Sequence, residues 1–143
     1  MIIEFTRRQF DRLSALQRSV LSAFAALAGY GFWAYLVNSM HGPEAAFKAA
    51  CVQGGYSFVL TFVVTLLIEA FFRSLNSAFD NPKVNQTATF VLVCTILFST
   101  SWWINAMAGT PEIFSTVILG YVIGAVYTGT YIKGLAGGLR YAA

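Results

Sequence analysis

Charge is scarce in this chain. Asp, Glu, Lys and Arg make up 10% of its 143 residues, against roughly a quarter in soluble domains. Apolar residues make up 57%. Surface-to-volume scaling leaves so small a chain too little interior to hide them, which excludes a water-soluble globule. Histidine is nearly absent as well. His41 stands alone with no Cys or acidic cluster nearby in sequence, which excludes a zinc site of three or four ligands. Two cysteines, Cys51 and Cys94, form no CxxC pair, and they read as small buried apolar residues in different segments. No nucleophile sits beside a positioned base, so no catalytic residue, metal or cofactor is expected.

What the chain does have is four apolar segments, near Ser19–Ser39, Ala49–Phe72, Thr87–Met107 and Ile113–Ile132. Each approaches the roughly 20 residues a helix needs to cross a bilayer core. Backbone in lipid must satisfy its own hydrogen bonds, so these are helices rather than strands. The class is an all-α integral membrane protein with four transmembrane helices.

The net charge of +3 hints at nucleic acid until the basic residues are placed. Arg7, Arg8, Arg12 and Arg18 precede the first span, Arg73 and Lys83 flank the loop after the second, and Lys133 and Arg140 follow the fourth. Only Lys48 falls on the other side. This is a positive-inside pattern that puts both termini in the cytoplasm, and no nucleic-acid partner is expected. In residues 1–17, Ile3, Phe10, Leu13 and Leu16 fall near one helical side, with Arg7, Arg8, Asp11 and Arg12 mostly elsewhere. That predicts an amphipathic interfacial helix on anionic lipid. The rival, a twin-arginine export signal in "TRRQF", is opposed by the apolar sequence that continues through "GYGFWAYLV".

A phrase is spelled twice: "NSMHGPE" from Asn38 to Glu44 and "NAMAGTPE" from Asn105 to Glu112. Both copies fall where an odd-numbered helix ends and the next begins. Two consecutive helical hairpins share one topology, so the phrase predicts a parallel internal repeat related by an axis along the membrane normal. The single membrane domain then divides into the interfacial helix (1–17), a first hairpin (18–73), a cytoplasmic loop (74–85), a second hairpin (86–133) and a tail (134–143). Within the phrase, Gly42 and Gly109 suit a tight reversal, Pro43 and Pro111 a first helical turn, Glu44 and Glu112 the positive end of a helix dipole, and Thr110 an N-cap. The two asparagines have two readings: they cap helix ends, or with the glutamates they line an outer vestibule for a polar headgroup.

The second span carries Gln53, Ser57, Thr61, Thr65, Glu69 and Arg73 at four-residue steps. Each step drifts about 40° from a straight face, so the ridge winds around the helix. It serves either interhelical packing or a polar path for a headgroup. Glu69 and Arg73 are spaced for an i,i+4 ion pair. In the fourth span Gly120, Gly124 and Thr128 allow another helix close approach, in the fold or in a homo-oligomer. Trp102 and Trp103 suit an interfacial belt.

Arg18, "GYGFWAYL" (Gly29–Leu36), "GPEAAFKAA" (Gly42–Ala50) and the looser "GTPEIFSTV" (Gly109–Val117) resemble the GtrA-type family of small membrane proteins. At the ends of the even helices, "IEAFFRSL" and "YTGTYIKGL" match that family's Asn, basic and aromatic cluster only through Arg73 and its aromatic neighbours. The resemblance implies four helices with cytoplasmic termini in a bacterial inner membrane. It also implies a non-enzymatic role in moving polyprenyl-phosphate-linked sugars, beside a glycosyltransferase partner. On that reading the headgroup site draws on Asn38, Glu44, Gln53, Thr61, Glu69, Asn105 and Glu112, and Arg18, Arg73 and Lys133 are the phosphate candidates. The other expectation is an accessory subunit that stabilises a larger membrane assembly.

Overall fold

The structure, a computed structural model, describes residues 15–141, with the side chains of residues 15, 16, 18, 19 and 138–141 outside that description. The expected interfacial helix therefore lies outside the described residues except for its last three, which open the first transmembrane helix.

Four long helices run in chain order: α1 (Ala15–Asn38), α2 (Pro43–Asn76), α3 (Pro82–Met107) and α4 (Ile113–Tyr141). Each contains a stretch long and apolar enough to cross a membrane: Val20–His41, Pro43–Asn76, Pro82–Met107 and Ile113–Gly137. The chain is a multi-pass membrane protein. Large apolar side chains face outward, Leu66 at 68% and Val126 at 67% exposure, as lipid contact requires.

Local chemistry sets the boundaries. A 3-10 turn, Ser39–His41, and Gly42 at φ 94° turn the chain between α1 and α2. Pro43 then opens α2 at a position whose missing N–H costs nothing, with Glu44 in the first turn. Asn81 caps α3 by accepting from the Lys83 backbone N–H at 2.9 Å, with Pro82 behind it. Gly109 at φ 68° makes the second corner, so both glycines of the repeated phrase occupy backbone that other residues resist. The expected cap at Thr110 is a correction. Its hydroxyl turns back to donate to Asn105 Oδ1 at 3.0 Å, and α4 begins only at Ile113.

α1 and α2 make the closest helix pair, and glycine is the reason. A Cβ on Gly54 would lie 2.7 Å from the Leu27 carbonyl oxygen, and one on Gly31 3.1 Å from the Ala50 carbonyl oxygen. Buried Ala34, Ala46 and Ala49 continue this small-residue packing. At the opposite end of the bundle, Val64, Ile68 and Phe72 of α2 pack with Val93 and Leu97 of α3 and Ile132 of α4. The two ends therefore differ. One holds the two corners. The other, the basic end, holds Arg73, Lys83 and Lys133.

Candidate functional site: a groove between α1 and α4

The repeated asparagines fix the corner end. Asn38 Nδ2 donates to the Ala34 carbonyl and to Thr116 Oγ1, both at 2.8 Å, while its Oδ1 accepts from the Glu112 backbone N–H at 2.9 Å. A residue at the end of α1 thus satisfies the open N–H just before α4. Asn105 reaches across to the first half from α3, with its Oδ1 taken by the Thr110 hydroxyl rather than by a backbone N–H. Its Nδ2 donates to the Ser101 carbonyl at 2.9 Å and to Gln53 Oε1 on α2 at 2.7 Å. Both asparagines are 0% exposed, and their side-chain oxygens and nitrogens are engaged with protein groups. They face protein at the helix ends and not the outer vestibule, the second of their two readings. Trp33 Nε1 adds a bond to the Ser115 carbonyl at 2.8 Å, which pins α1 to α4 at this end.

Away from the corners α1 and α4 diverge. They touch at fewer places than α2 and α3 do. The gap is a half-open groove of about 870 Å³. Ser22, Ala26 and Tyr30 of α1 form one wall, and Gly120, Gly124, Tyr127 and Tyr131 of α4 form the other. Its floor is α2, where Gln53, Ser57, Thr61 and Thr65 of the polar ridge alternate with Tyr56, Leu60 and Val64, so the lining is mostly apolar with a polar row along it. Gln53 lies about 15 Å along α2 from Pro43 and Thr65 about 18 Å further, at a 1.5 Å rise per residue. The groove therefore lies along the middle of α2, from about 15 Å to about 33 Å of its roughly 51 Å length, with Thr65 at the side of the basic end.

The drift of the ridge shows in its burial: Gln53 and Ser57 are buried, Thr61, Thr65 and Glu69 intermediate, and Arg73 exposed. Thr65 Oγ1 and Tyr127 Oη lie 2.9 Å apart across the groove. Glu69 stands past its end. Its carboxylate accepts from Arg73 Nη2 at 2.9 Å and from Tyr131 Oη at 2.8 Å. Glu69 is thus held by an intrahelical cation and a hydroxyl of the groove wall. No Asp, Glu, Lys, Arg or His among the described residues lines the groove.

The remaining sequence candidates scatter. Glu44 is exposed at the start of α2. The exposed Glu112 carboxylate meets His41 Nε2 at 2.9 Å, corner to corner. Lys133 is exposed on α4, and the Arg18 side chain falls outside the described ones. Of the seven headgroup candidates, only Gln53 and Thr61 line the groove. Sequence reasoning passed over the tyrosine wall, Tyr30, Tyr127 and Tyr131. Only the four-residue spacing of the last two gave a signal for it. Among the described residues no cluster of three or more His, Cys, Asp or Glu converges. Cys51 is exposed, Cys94 is buried, and both are free thiols.

No family model, curated protein or solved structure matches this chain.

Proposed function

We propose that this chain is a small non-enzymatic membrane protein that assists translocation of a lipid-linked polar headgroup of the polyprenyl-phosphate type. One observation carries the reading: a half-open, mostly apolar groove with a row of hydroxyl and amide side chains along its floor. A polar head enters such a groove from the side while its hydrocarbon tail stays in lipid. The groove has no charge to neutralise a phosphate, so the phosphate stays at the basic end, where Arg73 and Lys133 stand and Arg18 also falls in sequence. Glu69 serves as a structural partner of Arg73 and Tyr131, which argues against a proton-coupled cycle through it.

The proposal includes two tandem hairpins in parallel repeat, membership of the GtrA-type family, cytoplasmic termini and a bacterial inner membrane. The repeat is supported by the direction of the asparagine bonds, each from an odd helix to an even helix of the other half though to non-equivalent partners, and by positive φ at both corner glycines. A glycosyltransferase or a second copy is the expected protein partner.

A second reading, an accessory subunit of a larger assembly, is favoured by exposed apolar side chains at the corner ends of the spans. Met40 is 93% exposed and Met107 74%, both at the corners. Purified protein in liposomes carrying a fluorescent polyprenyl phosphate separates the two. Translocation predicts faster loss of lumenal-leaflet probe to an external quencher, and loss of that gain in Gly120→Leu, which fills the groove. No acceleration, with a stoichiometric partner retained on gentle extraction, selects the subunit.

A further inference from the structure

The corner-side end of the groove contains an amide with a fixed direction. Asn105 touches the Ser101 carbonyl at 2.9 Å, and a carbonyl can only accept, so that terminal atom is the nitrogen. The same nitrogen lies 2.7 Å from the Gln53 side chain, which must therefore present its oxygen there. Ser101 Oγ donates to that same oxygen at 3.4 Å. The Gln53 amide orientation is thus set by a network rather than chosen freely. These bonds engage only the oxygen of Gln53, a residue 2% exposed. Among the described residues every fully buried side-chain nitrogen or oxygen has a partner, so the free Nε2 owes its small exposure to the groove. It stands there beside Gly120. A Cβ on that glycine would meet Nε2 at 3.5 Å and the Tyr30 ring at 3.7 Å.

We infer that the Gln53 Nε2–Tyr30–Gly120 end of the groove is a binding site for an uncharged group bearing a hydrogen-bond acceptor, such as a hydroxyl, ether or carbonyl oxygen, with Asn105 as the residue that positions the donor. The inference rests on the groove being the headgroup path. Its chemistry follows from three features. The donor is oriented before any ligand arrives, so it is not reoriented on binding. An aromatic face lies beside it, suited to an apolar ring or C–H surface. The lining holds no countercharge, and a carboxylate or ammonium buried there would meet the full cost of desolvation. Selection is thus for neutral heads, with the sign of the hydrogen bond set by Asn105.

The chain has four glutamines, so selective 15N-glutamine labelling gives four side-chain amide pairs, and Gln53→Leu identifies the pair of interest. The full chain in bicelles is titrated with three probes of equal tail length: octyl glucoside, octanoate and octylammonium. The expected result is a saturable downfield shift of the Gln53 amide protons with octyl glucoside alone. Gln53→Leu then weakens glucoside-induced shifts at labelled Tyr127 about tenfold, the loss expected for one hydrogen bond to a buried donor. Ser101→Ala, a mild change, loosens the amide orientation and reduces the shift, while a purely structural role for Gln53 leaves probe preference unmoved. A Gln53 response to octanoate or octylammonium as large as to the glucoside overturns the neutral-head inference. Glucoside shifts at Tyr127 with none at Gln53 overturn this site and leave the groove reading standing. No response at either residue to any probe removes both.

Discussion

Adjacent glycines on α2 should respond oppositely to the same substitution. Gly54 faces α1, and a Cβ there would lie 2.7 Å from the Leu27 carbonyl oxygen and 3.3 Å from Gly31 Cα. Close carbon–oxygen contacts in packed helices fall near 3.3 Å, so the methyl group added by Gly54→Ala would be about 0.6 Å too close to backbone that no rotamer change can move. The helices must part, at an overpacking cost of about 1–3 kcal/mol. Gly55 has nothing within 4 Å of its Cβ position. Both substitutions gain the same helix propensity, about 1 kcal/mol, so the difference between them isolates the steric contribution. Buried Cys94 is a built-in reporter, since a fluorogenic maleimide reaches it once the bundle opens, with exposed Cys51 replaced by Ser. At about 3 °C per kcal/mol, Gly54→Ala should unfold about 3–9 °C below Gly55→Ala, with Gly55→Ala at or above the parent. Equal midpoints for the two would refute the close crossing of α1 and α2.

Other outcomes follow from the same contacts. Asn105→Ala strands the Thr110 hydroxyl and leaves Gln53 Oε1 only the long Ser101 bond, and Asn38→Ala strands the Glu112 N–H while Thr116 keeps its bond to the Glu112 carbonyl; each should cost about 1–3 kcal/mol in the same unfolding assay. The two networks share no partner, so the double variant should be additive within about 0.5 kcal/mol, and a larger coupling would contradict their independence. Glu112→Gln removes the carboxylate from its contact with His41 at the corner, where the side chains are 43% and 47% exposed, and its midpoint should fall by less than about 1 kcal/mol equivalent. Thr65→Val removes the hydroxyl contact to Tyr127 at nearly constant volume; it should leave stability within about 1 kcal/mol and lower translocation of the fluorescent lipid in liposomes.

The sequence made the spans legible because bilayer length and apolar composition act locally along the chain. Helix ends were less legible. Apolarity marks α2 as Ala49–Phe72, yet it runs Pro43–Asn76, because Pro43 and Glu44 start a helix before the lipid-facing part and Arg73 suits its last turn. The corner glycines were readable since positive φ needs little context. The asparagines were not, because their partners lie 78 and 52 residues away and burial depends on those partners. Gly120 and Gly124 read as helix-contact residues. Gly124 does meet Leu97, but Gly120 clears space before Gln53 and Tyr30. The tighter crossing at Gly31 and Gly54 carried a signal of its own in Ala46, Ala50 and Gly54, spaced by four. The ridge on α2 supported packing and polar path equally, and only the divergence of α1 from α4 turns it into a floor.

The most direct test of that floor uses single cysteines in a Cys51→Ser, Cys94→Ser background and a membrane-impermeant maleimide added from one face at a time. Thr61→Cys, within the groove, should react from the face bearing Arg73 and Lys133 and stay inert from the face bearing the corners. Leu66→Cys, on the lipid-facing side of α2, should stay inert from both. Thr61→Cys as unreactive as Leu66→Cys, or reactive from the corner face, would contradict a headgroup path that opens at the basic end.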